Sequence, residues 1–218
     1  EAADPSWAAL AAGPVVSVRG SNLAPLDSLA CDFDALRVPA TFVSAGEARC
    51  AAPAWTEPHT AALQLVLGAD QTVDARAVGV PFTFYDDSAP PAVTSIEPSG
   101  GPLAATAPHT TLRGANFAPV PGGALLCSTG TRRAGAGFAP SNDVRAASFV
   151  DSGAVECPLP QPVGTGTLML RASTDAGASW SAFDGTSAAP SYTFFDARRA
   201  PVVAEIEPRF GTSDGGTL

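Results

Sequence analysis

The sequence predicts an all-β chain built of tandem β-sandwiches, and three observations carry that expectation. Pro91-Ala-Val-Thr-Ser-Ile-Glu-Pro98 returns as Pro201-Val-Val-Ala-Glu-Ile-Glu-Pro208, with Ile96 and Ile206, Pro98 and Pro208, and Gly101 and Gly211 all 110 residues apart. That period is too long for a solenoid unit and suits a small sandwich domain. Glycine and proline number 21 each, which disfavours long helices and favours short strands joined by turns. Each copy also follows an aromatic strand ending in aspartate, Phe82-Thr-Phe-Tyr-Asp86 and Tyr192-Thr-Phe-Phe-Asp196. The repeated stretch therefore reads as a junction where one unit closes and the next opens.

The first unit runs over residues 1–87. Asp4-Pro-Ser-Trp7 resembles a worn copy of the junction, Val15-Val-Ser-Val18 alternates as a strand, and Arg19-Gly-Ser-Asn22 gives a turn. Strands are expected around Val38 to Val43, into Cys50, and from Ala61 to Leu67, where Leu63, Leu65 and Leu67 share a face. Gly68-Ala-Asp70 should turn the chain, and Phe82 to Tyr85 closes the unit.

The second unit, residues 88–200, repeats the order. Gly114 and Asn116 stand where Gly20 and Asn22 stood, and Leu168 and Leu170 alternate with Met169 and Arg171. Cys31 and Cys50 lie 19 residues apart but Cys127 and Cys157 lie 30 apart, an excess of 11 that marks an insertion near 128–146. Asp87-Ser-Ala-Pro-Pro91 is a short, proline-stiffened linker. Residues 201–218 read as the first strand of a third, truncated repeat. The chain opens at Glu1 without a signal segment and stops just inside that repeat, so it reads as a mature or excised piece of something longer.

Net charge is −9 and every basic residue is arginine. A nucleic-acid binder needs a basic face to displace counterions, and none is visible. No apolar run reaches the length of a membrane span, so neither nucleic acid nor membrane insertion is expected. The missing lysines, with heavy use of Ala, Gly, Pro and Arg, fit a GC-rich coding sequence. The four cysteines allow three pairings. They fall two per unit, which favours Cys31–Cys50 and Cys127–Cys157, and an oxidising compartment follows. Zinc is the rival reading, but there is no Cys-x-x-Cys pair and both histidines, His59 and His109, sit in Pro-His-Thr segments expected to be exposed loops.

The residues also carry a resemblance. Pro201-x-Val-x-x-Ile-x-Pro-x-x-Gly-x-x-x-Gly-Gly-Thr217 resembles the opening signature of IPT/TIG domains, the immunoglobulin-like (E-set) units of plexins, the hepatocyte growth factor receptor, fibrocystin-type surface proteins and Rel-type transcription factors. The segment ending Arg113-Gly-Ala-Asn-Phe117 is similar to the family's next step, and Cys50-Ala-Ala-Pro53 and Cys157-Pro-Leu-Pro160 resemble the Cys-x-x-Pro of its disulfide-bearing extracellular members. The resemblance implies seven-strand sandwiches. It implies no single function, because the fold serves several. The physics agrees independently: prolines at both ends of the first strand suit a sheet edge, and glycine after the second strand allows a positive φ.

No catalytic constellation is expected. A Ser-His-Asp site needs an oriented histidine, and glycosidase chemistry needs carboxylates facing across a cleft. Asp32 and Asp34 share a strand face and offer calcium a weak site against the plainer reading of a solvated turn. Asp175 and Asp184 read as turn residues, and Trp180 and Phe194 as core. No cofactor is implied. The expected function is a non-catalytic extracellular or cell-surface module acting in adhesion or receptor-type protein recognition, with neighbouring repeats or other proteins as partners. Alternatives are a building block or spacer of an extracellular filament or coat, and an accessory domain of a secreted enzyme. The candidate partner site is the inserted loop, Thr131 to Asp143, through Arg132, Arg133 and Phe138. A loop the fold does not demand is free to serve function, and arginine and aromatic side chains suit interfaces.

Overall fold

The computed structural model describes residues 2–11, 13–34, 36–67, 79–103, 108–119, 125–133, 137–181 and 190–207. They form an all-β structure. In chain order the strands are β1 (Ala2–Asp4), β2 (Trp7–Ala9), β3 (Val15–Arg19), β4 (Ala30–Phe33), β5 (Leu36–Ser44), β6 (Glu47–Ala51), β7 (His59–Val66) and β8 (Val80–Tyr85). After Asp86 follow β9 (Ala92–Glu97), β10 (Gly100–Pro102), β11 (His109–Ala115), β12 (Leu126–Arg133), β13 (Gly137–Ala146), β14 (Ser148–Asp151), β15 (Ala154–Pro158), β16 (Gly166–Ser173) and β17 (Ser191–Phe195). The turn expected at Gly68 to Asp70 and the acid Asp184 lie outside the described residues.

Strands β1 to β8 hydrogen-bond in the order β1-β3-β6-β5-β4-β7-β8-β2. The sheet folds over at β5. Its first half, Leu36–Pro39, pairs with β4, and its second, Ala40–Ser44, pairs with β6. Strands β9 to β17 split into two sheets, β10-β17-β16-β12-β13 and β14-β15-β11-β9, and here the corner strand is broken at Ala147. In both places a backbone bond fastens the corner: Ala40 N–H donates to the Leu29 carbonyl at 2.9 Å and Ala147 N–H to the Leu125 carbonyl at 2.8 Å.

Alternation places the cores. Val16 and Val18 of β3, Leu63 and Leu65 of β7, and Phe82 and Phe84 of β8 point inward with Phe33, as period-two patterning requires. Phe33, Phe82 and Phe84 meet edge to face, with ring centroids 5.1 to 5.8 Å apart, the arrangement favoured by the ring quadrupole. A second core gathers Ile96, Leu112, Phe117, Val155, Leu170, Tyr192 and Phe194. The two cores share no residue. Each holds one disulfide that ties its facing layers: Cys31 of β4 to Cys50 of β6, and Cys127 of β12 to Cys157 of β15, with Cα atoms 6.3 and 5.9 Å apart.

Three expectations change. The inserted segment is a β-hairpin, not a loop: Gly130↔Pro140, Thr131↔Ala139, Arg132↔Phe138 and Arg133↔Gly137 pair across β12 and β13. Pro140 lies on an edge strand, where proline is tolerated because one side of the backbone needs no ladder donor. The positive φ expected at Gly20 and Gly114 falls instead on Asn22 (φ 60) and Asn116 (φ 64), and asparagine is one of the few side chains that enters this region readily. Gly114 is needed for closeness instead, since a Cβ there would strike the Ala92 carbonyl and reach Val93 Cα at 3.0 Å. Finally, residues 201–207 form no strand, and Val202, Val203 and Ile206 are 88%, 75% and 65% exposed.

Candidate functional site

The inserted hairpin brings together three side chains far apart in sequence. Phe138, near the hairpin tip, folds back across Gly130, where any Cβ would come within 2.5 Å of the Phe138 ring. Its ring lies over the Arg171 guanidinium at 4.4 Å from the centroid, and the Trp180 ring lies 4.6 Å from the same group. Arg171 projects from β16 on the face opposite Leu170 and Ala172, which belong to the core. The guanidinium therefore sits between two aromatic rings, attracted to both through their quadrupoles. Burial there pushes the Arg171 pKa down, and its Nε is buried without a hydrogen-bond partner. Trp180 is thus half-buried on the outer face, not in the core, whereas Phe194 is a core residue.

Local turns set these positions. Asp175 accepts from the Ser173 hydroxyl at 2.7 Å, the Ser179 N–H at 2.8 Å and the Ser179 hydroxyl at 2.6 Å. Ala176 and Gly177 take positive φ values of 58° and 91°, which turns the chain so that Trp180 lies beside Gly177. The hydrogen bonds from Ser179, then from Ser173, outweigh desolvation and hold the Asp175 carboxyl at about 2. On the hairpin itself, the irregularity between Ser128 and Gly130 is closed by the Ser141 hydroxyl, which donates to the Thr129 carbonyl at 2.8 Å. Arg145 then pairs with Asp143 at 2.9 Å.

Of the expected partner-binding residues, Phe138 joins this stack, while Arg132 and Arg133 close β12 and their side chains lie outside the described part of the structure. Arg171 was not a candidate from the sequence. Its only signal is a charged residue alternating with core positions a few residues before a tryptophan.

A second cluster forms around His59. It opens β7, and His109 opens β11; neither is a loop residue. Proline cannot continue a ladder but can precede one, so Pro58 and Pro108 mark strand entries. His59 Nε2 lies 2.6 Å from Asp34 Oδ2, and its ring stacks on Trp55 at 5.5 Å, which stacks in turn on Phe84 at 4.9 Å. Burial would raise the Asp34 pKa, but the hydrogen bonds from His59 and the Ala62 N–H, with the charge of His59, hold it below the usual range. Asp32 is taken by Arg37, at 2.7 and 2.9 Å, so the two acids face different partners. Among the described residues, no serine, threonine or cysteine bonds the His59 ring, and no group of three or more His, Cys, Asp or Glu is placed to hold a metal ion.

The third feature is the joint between the cores. The Asn116 side-chain oxygen accepts from the Asp86 N–H at 2.7 Å, and its amide donates to the Asp86 and Ala89 carbonyls at 2.9 and 2.8 Å. Alongside, the Ser152 N–H donates to the Thr60 hydroxyl at 2.8 Å.

No protein-family model matches the sequence, and no curated protein matches it. Several solved structures are similar. The full extracellular region of plexin A4, domains 1 to 10, aligns at 12% identity with a TM-score of 0.33, covering 91% of this chain and 21% of that one. SGBP-B of the Bacteroides ovatus mixed-linkage glucan utilization locus, in complex with a mixed-linkage heptasaccharide, aligns at 12% identity and a TM-score of 0.33, covering 90% and 45%. The surface glycan-binding protein PbSGBP-B of Prevotella bryantii aligns at 12% identity and a TM-score of 0.32, covering 81% and 37%. The chain spans less than half the length of each.

Proposed function

We propose that this chain is a non-catalytic extracellular module of a larger surface protein, built of IPT/TIG-like sandwiches, that recognises another protein through the β12–β13 hairpin. The observation that carries the reading is the stack of Phe138, Arg171 and Trp180. It fixes the outer part of that hairpin, beyond the core residue Cys127, against the sandwich and leaves the β13 edge available. A preorganised surface loses little freedom on binding. Along that edge Ser141, Asn142 and Val144 are exposed, Val144 by 47%, and an unpaired edge can accept a partner strand. Two disulfides suit an oxidising exterior.

The test is binding of labelled chain to intact cells and to a panel of extracellular domains. Val144→Glu should cut binding tenfold or more while leaving the melting temperature in place. Wild-type binding by this variant would remove the hairpin from the function.

A second reading, a rigid building block or spacer, is favoured by the Asn116 joint. It fixes the linker by three hydrogen bonds, as a spacer of set length requires.

A further inference from the structure

The outer edge of β13 is complementary to itself. In the order β10-β17-β16-β12-β13 it has β12 on one side, and among the described residues no strand pairs with the other side. The pairing with β12 fixes which backbone groups face outward. Ala147 N–H donates to the Leu125 carbonyl at 2.8 Å, and the register sets Ala146 opposite Leu126, Arg145 opposite Cys127 and Val144 opposite Ser128. Antiparallel ladders alternate hydrogen-bonded with non-hydrogen-bonded pairs. Ala147 and Arg145 therefore turn their N–H and C=O groups toward β12, and Ala146 and Val144 turn theirs away from it.

Side chains alternate in the same phase: Asn142, Val144 and Ala146 are exposed, and Asp143, Arg145 and Ala147 are half-buried. Asp143 and Arg145 thus flank Val144 with opposite charges, one residue to either side. Asp143 accepts from Arg145 Nε at 2.9 and 3.0 Å. Both contacts leave from Nε, so the two terminal guanidinium nitrogens of Arg145 have no partner among the described residues. Asp143 is held from its own side, its N–H donating to the Ser141 hydroxyl at 3.3 Å and its Oδ2 accepting from the Thr129 hydroxyl at 3.4 Å.

We propose that the partner of this edge is a second copy of the chain, the two β13 strands pairing antiparallel about a two-fold axis at Val144. In that register Val144 stands opposite the partner's Val144, and the two exchange both N–H···O=C bonds through their outward-facing groups. Ala146 stands opposite the partner's Asn142. Asp143 faces the partner's Arg145, and Arg145 faces the partner's Asp143, as non-hydrogen-bonded pairs, the class that brings side chains closest. The terminal nitrogens of each Arg145 then meet a carboxylate of the other copy, and each Val144, 47% exposed in the single chain, is covered by its counterpart. Moving the axis one residue to either side would set Asp143 against Asp143 or Arg145 against Arg145, and like charges directly opposite destabilise a pairing. The contact is isologous, so it closes at two copies, and residues 142–146 alone make it, so the dimer is weak. The proposal rests on the reading of the β13 edge as the recognition surface and names its occupant.

The experiment is sedimentation velocity of the 218-residue chain at rising concentration. It is run in about 0.15 M salt, where a screening length of roughly 8 Å weakens the repulsion between two acidic copies but not ion pairs in contact. Wild type should pass from monomer to dimer and stop there. Asp143→Arg makes both flanking charges positive and Arg145→Asp makes both negative, so each variant alone should dimerise about tenfold more weakly or not at all. Mixed in equal amounts, the two variants should form a heterodimer, because each supplies the charge the other lacks. The double variant Asp143→Arg, Arg145→Asp reverses the pattern and should dimerise as wild type does. Where a single variant shows a lowered melting temperature, the double variant decides: a folded monomer overturns the proposal. Wild type that stays monomeric, single variants that dimerise as wild type does, or a mixture that stays monomeric also overturns it. If wild type is monomeric yet Val144→Glu still abolishes its binding to cells, the edge recognises a different protein, and the second copy alone is excluded.

Discussion

Asn116 closes on Asp86 from both sides, accepting from its N–H at 2.7 Å and donating to its carbonyl at 2.9 Å. The side chain just after β11 thus satisfies both polar backbone groups of the residue just after β8. Asn116→Gly keeps the positive φ and deletes all three side-chain hydrogen bonds. It should cost about 1–3 kcal/mol and let the two cores melt in separate steps. Differential scanning calorimetry reads this directly. A single unshifted transition would show that the joint contributes nothing.

The stack around Arg171 predicts a coupling. Phe138→Ala and Arg171→Met should each destabilise the second core, and the double variant should cost less than their sum by about 0.5–2 kcal/mol. Arg171→Lys should not restore wild-type stability, because an ammonium lacks the flat face that lies between two rings. Denaturant titration of the four proteins measures the coupling; strict additivity would mean that the rings merely neighbour the charge.

Asp175 predicts a pH dependence. Its folded pKa of about 2 lies below the ordinary 3.8, so the unfolded chain takes up the proton first. The stabilisation is complete above the ordinary value, declines as pH falls toward 2, and is gone below it. Asp175→Asn should therefore unfold more easily than wild type at pH 6, with the gap closing between about pH 4 and pH 2. A gap of constant size across that window would contradict the hydrogen-bonded turn.

Each disulfide should stabilise its own core. On loop-closure entropy, bridges spanning 19 and 30 residues are worth about 3–4 kcal/mol apiece. Replacing Cys31 and Cys50 by alanine should lower the transition of the first core and leave Leu112 and Leu170 of the second protected in hydrogen exchange. Loss of protection in both cores together would mean that they unfold as one.

Much of the fold was legible in alternation: Val16 and Val18, Leu63 and Leu65, and Leu168 and Leu170 show period two because each strand has one face on a core. The hairpin was not legible, because Ala134, Gly135, Ala136 and Gly137 have poor strand propensity and its pairing is made by backbone groups. Nor was the Arg171 stack, since two aromatic residues on different elements meet the guanidinium only after the hairpin folds back. His59 misled because Pro58 reads locally as a loop, although proline is also acceptable just ahead of a strand. The positive φ was assigned to glycine by conformational freedom, while Gly114 answers a steric demand and Asn116 carries the turn.

The corner strand sets how each half of the molecule can change. Strand β5 is continuous, so its two halves share one pleat. A slip of one residue where Leu36–Pro39 meets β4 would turn Ala40–Ser44 inside out against β6. Lengthening the β4–β5 turn must therefore preserve phase across both pairings. In the other half the strand is interrupted at Ala147, and β13 and β14 belong to different sheets. Residues can be added between Cys127 and Ala147 without rotating Phe149 away from its core. The interruption uncouples the phases of the two sheets, and the longer hairpin lies in the half where length could vary without repacking the interior.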